Sequence, residues 1–190
     1  DQLILIEKDK SADAFLKFYN SDGGESGACG NGTRCVADLI SKERNNKSIV
    51  LKTISGNLKS EILGNNIVTT EIGKAKTEWN EIPLSEKLNT RNLNIKISGK
   101  DNKEHSGGTA VNVGNPHIIF FVNKIDNFDI KKIGPNIENH KIFPERCNVT
   151  IAQVVDENLI KVKVWERGAG LTKACGTAAC ATAFAGKLNN

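Results

Sequence analysis

Methionine is absent from all 190 residues, position 1 included, and the chain is therefore expected to be part of a longer product. Tyrosine occurs once, tryptophan twice, and aromatic residues make up 5% of the chain. Without aromatics interleaved among basic residues, a nucleic-acid-binding stripe is excluded. Neither charge sign dominates: 26 basic and 22 acidic residues lie scattered together, for a net +4, which describes a solvated surface. The longest apolar run, Ile118 to Val122, falls far short of the ~20 residues a membrane-spanning helix needs. Asp1 to Lys8 lacks the basic start and long apolar stretch of a secretory signal. Five cysteines cannot form a fully paired framework, and a chain without such a signal is expected to keep its thiols reduced in the cytoplasm. No Cys-x-x-Cys occurs, and His105, His117 and His140 have no zinc-site spacing, so no metal is expected.

What the chain does have, it has twice. The segment Ala28-Cys29-Gly30-Asn31-Gly32-Thr33-Arg34-Cys35 is echoed by Ala174-Cys175-Gly176-Thr177-Ala178-Ala179-Cys180, with the first cysteines 146 positions apart. The same offset aligns the flanks without a gap. Between Lys17 and Ala37, six of 21 positions are identical: Lys17, Gly24, Ala28, Cys29, Gly30 and Ala37. An ungapped internal repeat reads as two related halves, each with one cysteine at the same structural place. The length suits one large domain or two small ones with a real core, and 38% hydrophobic with 25% charged residues suits a soluble globular protein.

Leu3 to Ile6 and Ala14 to Tyr19 both read as buried strand runs. Ser21-Asp22-Gly23-Gly24 breaks the chain into a loop. After Gly32 the pattern turns helical, with Val36, Leu39 and Ile40 on one face. Short strands follow at 48–51, 56–62 and 66–72, separated by Gly or Asn as in a meander. Gly73 to Leu84, with Pro83, is the expected join, dividing a half at 1–76 from a half at 77–190. The polar stretch 92–108 suits a hairpin or a loose connection. Strands at 110–113 and 118–122 flank Gly114-Asn115-Pro116-His117, a helical stretch is expected near 128–133, and strands at 148–154 and 159–165 precede Cys175 and a helix of small residues. Mixed short strands with helices predict an α+β architecture. The two halves are expected to face each other across a cleft.

A cysteine in a glycine turn before a helix feels the helix's positive end, which favours the thiolate, and the first backbone N–H groups offer donors to an anion. Two such turns facing one cleft would hold an α-carboxylate between helix ends with one sulfur on each side of the substrate carbon. That arrangement suits stereoinversion: one thiolate takes the Cα proton, and the opposite thiol returns one to the other face. Neither a metal nor an organic cofactor is needed. Cys35, Cys147 and Cys180 are expected to be buried small hydrophobes. A purely architectural turn or a redox pair remains open for Cys29 and Cys175.

Five segments, Asn20 to Glu25, Ala28 to Cys35, Gly114 to His117, Glu166-Arg167-Gly168 and Ala174 to Thr177, resemble the diaminopimelate epimerase family in order and spacing. The resemblance spans essentially the whole chain. It implies pyridoxal-independent interconversion of LL- and meso-diaminopimelate, in lysine and cell-wall precursor synthesis, by a cytoplasmic homodimer with no cofactor. By position it makes Cys29 and Cys175 the acid–base pair, and Gly30, Asn31, Gly176 and Thr177 the carboxylate donors. Gln2, Asn20, Asn115, Asn148, Glu166 and Arg167 would hold the substrate, and His117 and Glu166 would tune the thiols. The implied fold is two pseudo-symmetric half-domains, each a mixed sheet or barrel around a central helix, with the active site between them. Family members start before Asp1 and run past Asn190, so each half is expected to lack part of its barrel here. Ala178 stands where the family often has Gly.

Two alternatives stand beside this. A proline or hydroxyproline racemase shares the two-cysteine fold, although the Glu166-Arg167-Gly168 and Gly114 to His117 segments favour a substrate with a second charged end. A non-catalytic binding or redox module would instead join the two cysteines in a disulfide, which needs Cα atoms within about 7 Å.

Overall fold

The computed structural model describes residues 2–20, 23–27 and 29–189. Ser21 and Asp22 of the expected loop, and Ala28 of the first repeat, lie outside the described residues. The fold is α+β, and the chain divides into two compact units, Asp1–Lys74 and Ala75–Asn190.

In the first unit, β1 (Gln2–Glu7) runs antiparallel to β2 (Ala14–Asn20), whose end also pairs with the short β3 (Glu25–Ser26). The helix α1 (Gly30–Arg44) leads to β4 (Ser48–Thr53), which is parallel to β2 and antiparallel to β5 (Gly56–Gly64), and β5 is in turn antiparallel to β6 (Ile67–Thr70). The last hairpin turns at Asn65 and Asn66, both at positive φ (51° and 59°), the primed geometry that matches strand twist and that Asn tolerates. Alternation on β2 sends Ala14, Leu16 and Phe18 inward, where they meet Ile49 and Leu51 of β4 and the apolar face of α1, Val36, Ala37 and Ile40. The strand at Leu3 to Ile6 forms as expected but is not buried: Leu3 is 61% exposed and Ile6 46%. β1 is an edge strand with one sheet neighbour, so an apolar run alone did not give it a second covered face.

The second unit begins with a hairpin, β7 (Ile95–Ser98) and β8 (Glu104–Gly107), within the polar stretch. β9 (Thr109–Asn112) and β10 (Pro116–Phe121) enter a five-stranded sheet. After a 3-10 turn at Ile125–Asn127, the helix α2 (Ile130–Glu138) crosses over to β11 (Asn148–Asp156), parallel to β10. β12 (Leu159–Glu166), β13 (Gly170–Leu171) and α3 (Gly176–Asn189) complete it. The parallel pair is buried along nearly its whole length, through Ile118, Ile119 and Phe120 on one strand and Val149, Ile151 and Ala152 on the other. Asp129 caps α2 by accepting the Lys131 N–H at 3.1 Å. Ile130, Ile133 and Ile137 form its buried stripe, so α2 continues past Gly134-Pro135, beyond the helix expected at 128–133.

The 146-residue repeat is a repeat of structure. The pairs Leu3–Tyr19, Ile4–Phe18, Leu5–Lys17, Ile6–Leu16 and Glu7–Phe15 in β1–β2 recur as Val149–Trp165, Thr150–Val164, Ile151–Lys163, Ala152–Val162 and Gln153–Lys161 in β11–β12. Tyr19–Glu25 recurs as Trp165–Leu171. Each copy is thus a hairpin, a third short strand, a cysteine and a helix, in one register. Of the three remaining cysteines only Cys147 is buried; Cys35 and Cys180 are exposed, because both lie on helix faces turned from the cores.

Candidate active site

In the first unit Cys29 caps α1. Its backbone is extended (φ −145°, ψ 96°), its sulfur accepts the Gly32 N–H at 3.3 Å, and its carbonyl accepts from both the Thr33 N–H and hydroxyl at 2.8 Å. A sulfur anion accepts that N–H more strongly than a thiol does. Gly30 and Asn31 follow in the first turn, where backbone N–H groups point out of the helix end. Gly32 sits close against its neighbours: a Cβ there would lie 2.5 Å from Ile4 Cδ1 and 3.2 Å from the Cys29 sulfur. At the end of the β1–β2 hairpin, Gln2 Nε2 donates to Asn20 Oδ1 at 2.7 Å, so these two candidates act as a pair.

In the second unit Cys175 stands just before α3, and its carbonyl accepts the Ala179 N–H at 3.1 Å. Its sulfur lies 3.3 Å from the Thr177 hydroxyl. Burial pushes this thiol up to about 11; Glu166 adds in the same direction, while Thr177 and the Ala178 N–H pull it down. The lowering expected from the helix end is therefore outweighed by desolvation, and Cys175 rests as a thiol. Glu166 is held from the other side by the Thr172 hydroxyl, which donates to its carboxylate.

The same unit holds a buried polar row. The His117 ring meets Asn115 Oδ1 at 2.8 Å through Nε2, which sets Nε2–H as the protonated nitrogen and leaves Nδ1 buried with no partner among the described residues. Burial, and then the charge of Arg167, hold His117 down at about 3. Any influence of His117 on a thiol is that of a neutral ring. Asn148 faces His117 across the parallel pair; its Nδ2 donates to the Pro116 carbonyl at 2.9 Å and its Oδ1 accepts the Arg167 N–H at 3.0 Å. Both ends of that amide thus go to backbone, and Asn148 serves the turn directly. Arg167 Nη1 donates to the Glu145 carbonyl at 2.9 Å, and burial lowers its proton affinity.

The predicted residues thus gather in two groups, one per unit. Gln2 and Asn20 pair in the first, where Cys29 leads into Gly30 and Asn31; Asn115, His117, Asn148, Arg167, Glu166, Cys175 and Thr177 form the second, with Gly176 opening α3. The groups correspond through the offset, which matches Gln2 with Asn148, Asn20 with Glu166, and Gly30-Asn31 with Gly176-Thr177. Sequence reasoning missed Thr172 and Glu138. Thr172 was signalled by the repeat, opposite Ser26; Glu138 carried no signal, being one acid at the end of an amphipathic helix. No group of three or more His, Cys, Asp or Glu able to hold a metal occurs among the described residues. Nor is any of their helices long and apolar enough to cross a membrane.

The family model for diaminopimelate epimerase matches residues 1–78 and 109–190. A diaminopimelate epimerase of Pelagibacter ubique is 67% identical over 190 residues, covering 100% of this chain and 69% of its own length. One from Afipia carboxidovorans is 44% identical, covering 97% of this chain and 65% of its own length. Among solved structures, a hydroxyproline epimerase from Agrobacterium vitis matches 96% of this chain and 58% of its own, with a TM-score of 0.60 at 14% identity. A PhzF-family phenazine biosynthesis protein from Bacillus anthracis matches 97% and 64%, with a TM-score of 0.58 at 15% identity. These two likenesses concern the fold alone.

Proposed function

The chain belongs to the diaminopimelate epimerase family, and from that premise we propose that it inverts the α-carbon of diaminopimelate between the LL and meso forms with Cys29 and Cys175 as the two acid–base groups. The observation that carries the reading is the equivalence of the two cysteines, each opening a helix at the same place in a register-matched repeat. Cys29, whose sulfur takes the Gly32 N–H, removes the α-proton as a thiolate. The C–H electron pair passes into the α-carboxylate, held by the N–H groups of Gly30-Asn31 and Gly176-Thr177. Cys175 enters as the thiol and gives its proton to the opposite face. The turnover leaves Cys29 protonated and Cys175 ionised, and the reverse reaction starts from that state. Arg167, with Asn115 and Asn148 behind it, receives the distal charged end of the substrate. A cytoplasmic homodimer belongs to the same reading.

The test is incubation of reduced protein with LL-diaminopimelate in D2O, following deuterium at the α-carbon by NMR. Exchange with epimerisation is expected, and Cys29→Ser or Cys175→Ser should each reduce it by about a thousandfold or more, as loss of an acid–base group does. No exchange by the wild-type chain would overturn the assignment, and turnover of proline or hydroxyproline in its place would move the reading to that racemase class.

A further inference from the structure

Glu138 is the last residue of α2 and is 6% exposed. A carboxylate there is unfavourable twice over, since burial strips its water and a helix C-terminus already carries partial negative charge. What offsets this is a set of donors from one small region. Trp165 Nε1–H donates to Oε2 at 2.7 Å, the Gly168 N–H donates to Oε1 at 2.9 Å, and Arg146 Nη1 reaches Oε1 at 3.4 Å. Trp165 and Gly168 bracket Glu166 and Arg167.

The rest of the turn is held in the same way. The Arg167 N–H goes to Asn148 Oδ1 and the Ala169 N–H to the Glu166 carbonyl, at 3.0 and 3.1 Å. Every backbone N–H from 167 to 169 is thus held, and Glu138 ties the strand end at Trp165 to the turn at Gly168. Its reach is built into α2. One turn earlier, Gly134 lies so close to Trp165 that a Cβ would come 2.3 Å from Cγ, so the helix can lie flat on the indole.

We propose that Glu138 is a positioning residue that sets the Glu166–Arg167 turn, and through it the carboxylate beside Cys175 and the guanidinium that grips substrate. The proposal rests on the epimerase reading for its effect on turnover. Glu138→Gln keeps the side chain's size but puts an amide NH2 against one of the two N–H donors. Both kcat and KM are expected to worsen, with kcat/KM falling about tenfold or more, the scale of losing a buried hydrogen bond to a charged group. A merely structural defect lowers the active fraction and kcat while KM stays put. Ile133→Val, a comparable loss of packing on the same helix, should leave KM unchanged.

A second readout needs no substrate. With the turn loosened, Glu166 moves from Cys175, and alkylation of Cys175 should speed up relative to exposed Cys180, resolved by peptide mass spectrometry. An altered alkylation ratio in Glu138→Gln, together with a wild-type chain that does not turn over diaminopimelate, would keep Glu138 as the positioning residue and remove the epimerase reading. A folded Glu138→Gln protein with unchanged KM and an unchanged Cys175:Cys180 ratio would overturn the proposal.

Discussion

At the scale of single residues, buried His117 and half-buried Cys175 pull stability in opposite directions with pH. His117 titrates near 6.5 when unfolded and about 3 when folded, so the folded state disfavours its protonated form. Its contribution is fully present above pH 6.5 and is lost as pH falls toward 3, at up to about 1.4 kcal/mol per pH unit. Cys175 is raised from 9.0 to about 11, so its contribution is complete below pH 9 and is lost as pH rises toward 11. Denaturant titrations across pH should show both flanks, and His117→Gln should flatten the acid one; an unchanged acid slope in that variant would count against the assignment. Gly32 gives a steric prediction. Gly32→Ala presses on Ile4 and on the Cys29 sulfur, and should cost about 1–3 kcal/mol by thermal unfolding while slowing alkylation-sensitive chemistry at Cys29. Ala178, its counterpart in the second repeat, already carries a buried Cβ, so the restriction belongs to the first copy.

At the scale of elements, α2 shows what pattern reading can and cannot reach. Its start was legible from Phe128 onward, because Asp129 caps it and Ile130 and Ile133 set a helical period. Its second half was not, since Gly134-Pro135 has the composition of a stop. Tertiary packing overrides that local preference: Ile137 is buried and Glu138 is tied to Trp165 and Gly168. Gly134→Ala should therefore cost more than the reverse of a helix-propensity gain. The added methyl drives α2 off Trp165, and a loss of about 1–3 kcal/mol with a shift in tryptophan emission is expected. Stabilisation by Gly134→Ala would show that the close packing of helix on indole is not what fixes α2. β1 teaches the complementary lesson. Its apolar run identified a strand, but the degree of cover depends on sheet neighbours, and an edge strand has one.

At the scale of the whole chain, the legible feature was the repeat, because an ungapped offset preserves register and register fixes which residues face each other. The two cysteines and their glycine turns followed from it, whereas the polar positions at the hairpin ends came from the resemblance to the family. What the repeat could not convey is how the copies differ. Asn20 in the first becomes Glu166 in the second, so a neutral amide at one hairpin end is replaced by a carboxylate that raises the proton affinity of Cys175. The unrepeated segment running through β10 and α2 adds His117, Asn115 and Glu138. Two thiols placed alike in their repeats are thereby made unlike. Glu166→Asn makes the second copy resemble the first at this position. The midpoint of Cys175 ionisation, read from the pH dependence of its alkylation, should fall from about 11, yet stay above 9.0, because burial is the larger cause and persists. Epimerisation should fall as well, because Glu166 is also among the residues proposed to hold the substrate. A midpoint that stays put or rises would mean that the difference between the copies resides in burial alone, and that Glu166 serves only to bind substrate.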